Sequence, residues 1–181
     1  MDFLEKDLEE ILHSANQKDI QTRGLWDFEY TRIFRQVELG NYGRADLITF
    51  LRNRKYAHKV TVYELKNLTV DAAAYWQLVR YMKAVKTFLR SWGCHNNVQV
   101  SGVLIGRKVD TKSDVCYIPD VNPSVNIFTY DYHLDGMYFQ EASDYNLTDK
   151  GYFSFDSLGY DSKMDMLRSL TGIEGEEPAP F

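Results

Sequence analysis

Apolar residues at Phe3, Leu4, Leu8, Ile11 and Leu12 recur at helical spacing, so the chain opens on a predicted helix over residues 2–14. Asp2 with Glu5 three residues on has the form of a capping box for that helix. Residues 16–31 are polar and loop-like, with Gly24 and an aromatic pair at Trp26 and Phe28. The pattern then shifts to strands over 32–39 and 44–50, parted by the turn signal Gly40-Asn41-Tyr42-Gly43, and over 59–66. The longest periodic segment, 71–92, predicts a helix with Asp71 as N-cap and Gly93 as stop. Ala74, Leu78, Met82, Val85 and Leu89 form its apolar stripe, while Lys83, Lys86, Thr87 and Arg90 face water. A buried strand is predicted at 98–106, with further β-prone pieces near 115–119, 125–132 and 137–141. Strands before and after a long helix predict an α/β fold, a mixed sheet flanked by helices.

At 181 residues, 44% hydrophobic and 14% aromatic, the chain can bury a substantial core, and disorder is excluded as its overall state. One domain is expected over residues 1–145. Residues 146–181 read as an appendage: 146–160 are rich in Tyr, Phe, Gly and Asp, 161–171 can form a short helix, and 173–181 are acidic with proline and expected to be mobile. The apolar run from Val98 to Gly106 is too short to cross a bilayer, and no basic segment precedes an apolar run as in a signal peptide. Cys94 and Cys116 form no CxxC pair and the four histidines no zinc spacing, which fits a reduced, cytoplasmic protein without membrane association.

A net charge of −5 argues against a nucleic-acid partner until it is divided along the chain. Residues 32–112 hold fifteen Lys and Arg against five Asp and Glu, whereas both flanking segments are acidic. Ordinary solvated faces give the same count. The chemistry-bearing residues nevertheless fall inside the basic segment.

Taking 44–50 and 59–66 as a hairpin, the pairing of Phe50 with Val60 sets a register that brings Asp46 opposite Glu64 and Arg44 opposite Lys66. Alternation puts Glu64 and Lys66 on one face and Leu65 on the other. Opposed residues lie roughly 5 Å apart at Cβ, and like charges there repel, so the two carboxylates call for a cation or a proton. A hard, oxygen-seeking ion such as Mg2+ resolves the conflict. On this reading Asp46, Glu64 and the Leu65 carbonyl are the metal ligands and Lys66 stays protonated beside them. Gln77 and Tyr81, one turn apart on a helix flank, position the substrate. Glu5 or Glu9 on the first helix can support the ion; the sequence does not choose between them. Arg52, Arg54 and Lys55 in the turn suit a phosphate backbone, as does Arg44. A plain cross-strand ion pair between Asp46 and Lys66 is the competing account.

The series Asp46 … Glu64-x-Lys66 … Gln77-x-x-x-Tyr81 resembles the PD-(D/E)XK nuclease superfamily, particularly its RecB-like and NucS-like catalytic domains. Glu5 to Leu12, Tyr42-Gly43-Arg44-Ala45-Asp46-Leu47 and Gln77 to Met82 are similar to NucS-type motifs, and the similarity covers about residues 2–140. Ala45 stands where the nominal motif has proline. The resemblance implies a restriction-endonuclease-like core in the order αβββαβ, an Mg2+- or Mn2+-dependent endodeoxyribonuclease of repair, phage or defence function, and pairing as a homodimer to cut both strands. Without a separate DNA-binding domain ahead of the core in these residues, the mismatch or branch specificity of such enzymes is not expected to carry over. Gly175-Glu176-Glu177-Pro178-Ala179-Pro180-Phe181 is slightly similar to the acidic tips by which single-strand-binding proteins recruit protein partners, although a disordered terminus accounts for it better.

The residues alone admit RNA as well as DNA. They also leave two rivals: a non-catalytic nucleic-acid- or protein-binding module on a nuclease fold, and an interaction protein working through its acidic tail.

Overall fold

The computed structural model describes residues 4–52, 58–94 and 97–142. Helices α1 (Glu5–Ser14) and α2 (Gln17–Thr22) precede strands β1 (Arg32–Glu38), β2 (Arg44–Leu51) and β3 (His58–Leu65). Strand β4 (Thr69–Val70) leads into α3 (Ala72–Ser91), and β5 (Val98–Gly106) and β6 (Lys108–Val109) follow. The described part closes with α4 (Ile118–Val121), β7 (Val125–His133) and β8 (Gly136–Glu141). Arg54, Lys55, the Asp2 cap and the segment 146–181 lie outside the described residues.

Six strands form one sheet in the order β1-β2-β3-β5-β7-β8, and β4 with β6 forms a separate parallel pair. The first three strands are antiparallel, β3–β5 and β5–β7 are parallel, and β8 returns antiparallel on β7. This is the expected mixed α/β sheet flanked by helices, with the expected αβββαβ order in its first two-thirds. The hairpin register holds over the ladder, where Leu47 pairs with Tyr63 and Phe50 with Val60; the ladder stops short of the expected Asp46–Glu64 and Arg44–Lys66 pairs.

Strand β3 is central and covered on both faces, which explains its nearly continuous apolar run. Its residues divide by parity between two cores. Val60 and Val62 join Leu78, Met82 and Val85 of α3, whereas Tyr63 and Leu65 join Leu8 and Leu12 of α1. Helix α3 lies close on the sheet because Gly102 of β5 leaves room: a Cβ there would fall 2.6 Å from Met82 Sδ and 2.8 Å from Leu78 Cδ2.

The long helix forms as its sequence dictates. Asp71 Oδ1 accepts the Ala74 N–H at 2.8 Å, and Gly93 supplies a positive φ of 70° just past the end. Asp71→Ala is expected to lower the unfolding free energy by about 1 kcal/mol, read from the urea midpoint; an unchanged midpoint would mean the cap is idle.

Three expectations need correction. Residues 16–31 are not all loop: Asn16 caps α2 by accepting the Lys18 N–H at 2.9 Å, in a helix of six residues, too short for periodicity to reveal. The α1 start is held by Asp7, whose Oδ2 accepts the Leu4 N–H at 2.8 Å. The piece near 115–119 is not a strand but a 3-10 turn (Asp114–Tyr117) running into α4. Val115 and Ile118, three apart, both reach the core that way, which β-propensity could not anticipate. No helix among the described residues is long and apolar enough to cross a membrane.

Candidate active site

The sheet presents its chemistry at the end where β2 begins and β3 stops. Glu64 is the penultimate residue of β3 and is 1% exposed. Lys66, just past the strand, turns back so that its Nζ lies 2.6 Å from Glu64 Oε1. The other carboxylate oxygen, Glu64 Oε2, is buried without a hydrogen-bond partner among the described residues. Burial and the neighbouring Asp46 charge push the Glu64 pKa up to about 7, against the opposing effect of Lys66. Burial lowers the affinity of Lys66 for its proton, but the hydrogen bond and charge of Glu64 outweigh it, and the net shift is upward.

Asp46 is half-buried and fixed through the main chain: its Oδ2 accepts the Leu65 N–H at 2.8 Å. Its pKa is raised by burial, with that hydrogen bond and Lys66 acting against the rise. The pleat of β2 is interrupted here. Ala45 and Ile48 both sit in the core beneath α3 although they are three positions apart, an odd spacing, and the β1–β2 ladder pairs Arg35 with Leu47 and Val37 with Ala45 but not Gln36 with Asp46. Gln36, between those pairs on β1, is the non-glycine residue at positive φ (48°) among the described residues.

That break opens a cleft of about 610 Å³ lined by Asp46, Glu5, Glu9, Arg35, Gln36, Arg44 and Asn67, among others. Glu9 is buried and held on both oxygens: Arg35 Nε is 2.6 Å from Oε1, and Gln36 Nε2 donates to Oε2. Arg35 also reaches Glu10 at 2.6 Å. Glu5 is exposed on the cleft wall. The negative charges of both glutamates act on Asp46. Asn67 is anchored by Tyr130 of β7, whose Oη donates to its carbonyl at 2.8 Å.

Arg44 stands exposed on the cleft, 3.9 Å from Glu38. Gln77 and Tyr81 meet each other on α3, Gln77 Nε2 donating to Tyr81 Oη at 2.9 Å. Tyr81 is more deeply placed than a flank position suggests, at 3% exposure, because Gly43 (φ 104°) admits its ring. A Cβ at Gly43 would come 3.1 Å from Tyr81 Cε1. Arg52 is exposed at the far end of β2, away from the cleft, with its N–H donated to Thr31 Oγ1 at 3.0 Å. The Leu65 side chain fills the core beneath α1.

Arg35, Gln36 and Asn67 belong to this cleft without having been legible as such. An arginine and a glutamine in an alternating strand are ordinary outward residues, and nothing in the sequence marks the positive φ at Gln36.

No protein-family model matches the chain, and no curated protein matches it. Among solved structures it is similar to EndoMS in a complex with dsDNA, with 16% identity over 70% of this chain and 44% of that one and a TM-score of 0.47. It is also similar to a repair endonuclease from Pyrococcus abyssi, with 15% identity over 62% of this chain and 46% of that one and a TM-score of 0.40. The chain thus spans less than half the length of either structure.

Proposed function

We propose that this chain is a divalent-metal-dependent nuclease that hydrolyses phosphodiester bonds, with DNA as its substrate. The observation that carries the reading is the buried Glu64 carboxylate, half satisfied by Lys66 and half without a partner among the described residues, next to Asp46, which itself lines a cleft that also presents Arg44. Among the described residues no three Asp, Glu, His or Cys side chains are grouped to hold an ion. The donor set is therefore two carboxylates, with a main-chain carbonyl such as that of Leu65 and water completing it. That set fits a hard ion: two carboxylates are pushed toward protonation by burial, and one buried oxygen has no donor. Mg2+ or Mn2+ held there would supply Lewis-acid polarisation of a phosphate and a more acidic water.

The protein's own groups do the rest. The Leu65 N–H fixes the Asp46 carboxylate, so its free oxygen is oriented before any ligand arrives. Lys66 remains an ammonium and opposes the upward shift of the Glu64 carboxyl while offering further N–H donors to a phosphate oxygen. Glu9, clamped by Arg35 and Gln36, sets the negative wall opposite. Arg44 is free to meet a backbone phosphate at the rim. Gln77 and Tyr81, bonded to each other, place a polar pair next to the Gly43 turn that feeds Arg44 and Asp46 into β2.

The test is a cleavage panel of duplex, single-stranded, flapped and mismatched DNA, plus RNA, with Mg2+ or Mn2+ and with chelator. Hydrolysis of a DNA member that appears with the ion and disappears with chelator is expected. Retarded mobility without a single nick in either ion would move the chain to the non-catalytic binding class.

A further inference from the structure

Residues 72–109 contain no Asp or Glu, in a chain that carries 26 acids against 21 Lys and Arg. Four of the cations in that stretch, Arg80, Lys83, Lys86 and Arg90, stand on α3, and all four are exposed. The helical period arranges them. Trp76, Arg80, Lys83, Thr87 and Arg90 follow one another by four or three residues and form one row, with Lys86 on its flank. The row lies opposite Ala74, Leu78, Met82 and Val85, which are buried against the sheet. Among the described residues none of the four is held in an ion pair. Arg80 lies over the Tyr81 ring at 5.7 Å, so the row begins next to the Gln77–Tyr81 pair. From Arg80 to Arg90 it runs for roughly 15 Å.

We propose that this outer face of α3 is a docking surface for the sugar–phosphate backbone of double-stranded nucleic acid. The proposal rests on the nuclease reading and adds where substrate outside the cleft is held. Charge complementarity commits it to that occupant. A second copy of the chain would bring like charges face to face across a helix that has no acid to offer. A membrane-surface helix needs its apolar stripe free, and here that stripe is inside the core. A single strand is held in grooves that stack its bases, whereas this row runs along the exposed outer face of a helix.

The test uses the full chain with Lys83→Ala, Lys86→Ala and Arg90→Ala combined, leaving Arg80 in place because it touches Tyr81. Binding to a labelled duplex in chelator is titrated across salt. Three lost phosphate contacts are expected to flatten the slope of log K against log salt by about 2.7. The wild type then loses about 40-fold more affinity than the variant between ~50 and ~200 mM salt. The melting temperature and the cleavage rate at saturating duplex stay as in the wild type. An unchanged slope, while wild type still cleaves and Glu64→Ala does not, overturns the docking surface and leaves the nuclease reading standing. A flattened slope in a protein that never cleaves overturns the nuclease reading and leaves the surface standing. A loss confined to single strands, or duplex-independent binding to phosphatidylserine vesicles through the same three cations, overturns the surface as assigned.

Discussion

Glu64→Ala is expected to lower the single-turnover rate of DNA cleavage in Mg2+ by about 10³-fold or more, equivalent to roughly 4 kcal/mol of barrier. Lys66→Ala is expected to lose a comparable factor by a different route. Glu64 contributes a buried oxygen that has no partner among the described residues, so its removal deletes one of the two carboxylates assigned to the cation. Lys66 supplies the charge that works against the rise in the Glu64 pKa, and without it the carboxyl holds its proton more tightly still. The Lys66 variant should therefore recover part of its rate at raised pH or raised ion concentration, whereas the Glu64 variant should not. Neither change should unfold the chain. The packing of β3 rests on Val60, Val62, Tyr63 and Leu65, none of which is touched, and taking away an unsatisfied buried carboxylate removes an unfavourable burial. Circular dichroism melts beside the kinetics check that point. Undiminished cleavage by both variants would remove these residues from the chemistry.

The legible part of the site was its strand-borne part, and there is a physical reason. A hairpin has period two and one register, so pairing Phe50 with Val60 also pairs Leu47 with Tyr63 and leads β2 and β3 toward their Asp46 and Glu64 ends. The i, i+4 spacing of Gln77 and Tyr81 is equally rigid and led to their observed hydrogen bond. What escaped lay where regular periods fail. The positive φ of Gln36 breaks the β1–β2 ladder, and with it the assumption that Asp46 follows the pleat of its strand. The Arg35 and Gln36 clamp on Glu9 depends on α1 crossing β1, a long-range packing that no local pattern encodes. It also bears on the choice left open between the two glutamates: Glu9 is committed to its clamp and Glu5 is not. Tyr81 was placed at a boundary because a helix phase cannot show that Gly43 leaves space for the ring.

The electrostatics of the same pair give the metal-free protein an unusual pH dependence of stability. The folded-state pKa of Glu64 is raised from 4.5 to about 7, so between those values the folded chain binds a proton that the unfolded chain has released. Stability from this group is therefore fully present below about 4.5 and lost as pH rises through about 7. Asp46 is shifted in the same direction and adds to the loss. Lys66, whose pKa is also raised, loses its contribution only well above neutrality and leaves this window unaffected. On the order of 3 kcal/mol of unfolding free energy should disappear between pH 5 and pH 8 in chelator. Glu64→Gln, which keeps the volume and cannot ionise, should remove most of that slope, so that variant and wild type diverge most at pH 8. Because an ion competes with the proton for the same oxygens, the stabilisation conferred by Mn2+ should grow across the same interval, and Glu64→Gln should abolish that growth. Urea titrations at pH 5, 6, 7 and 8, with and without Mn2+, read both effects. If stability in chelator instead rises toward pH 8 to the same extent in both proteins, Glu64 is already satisfied in the folded chain and has no need of a cation.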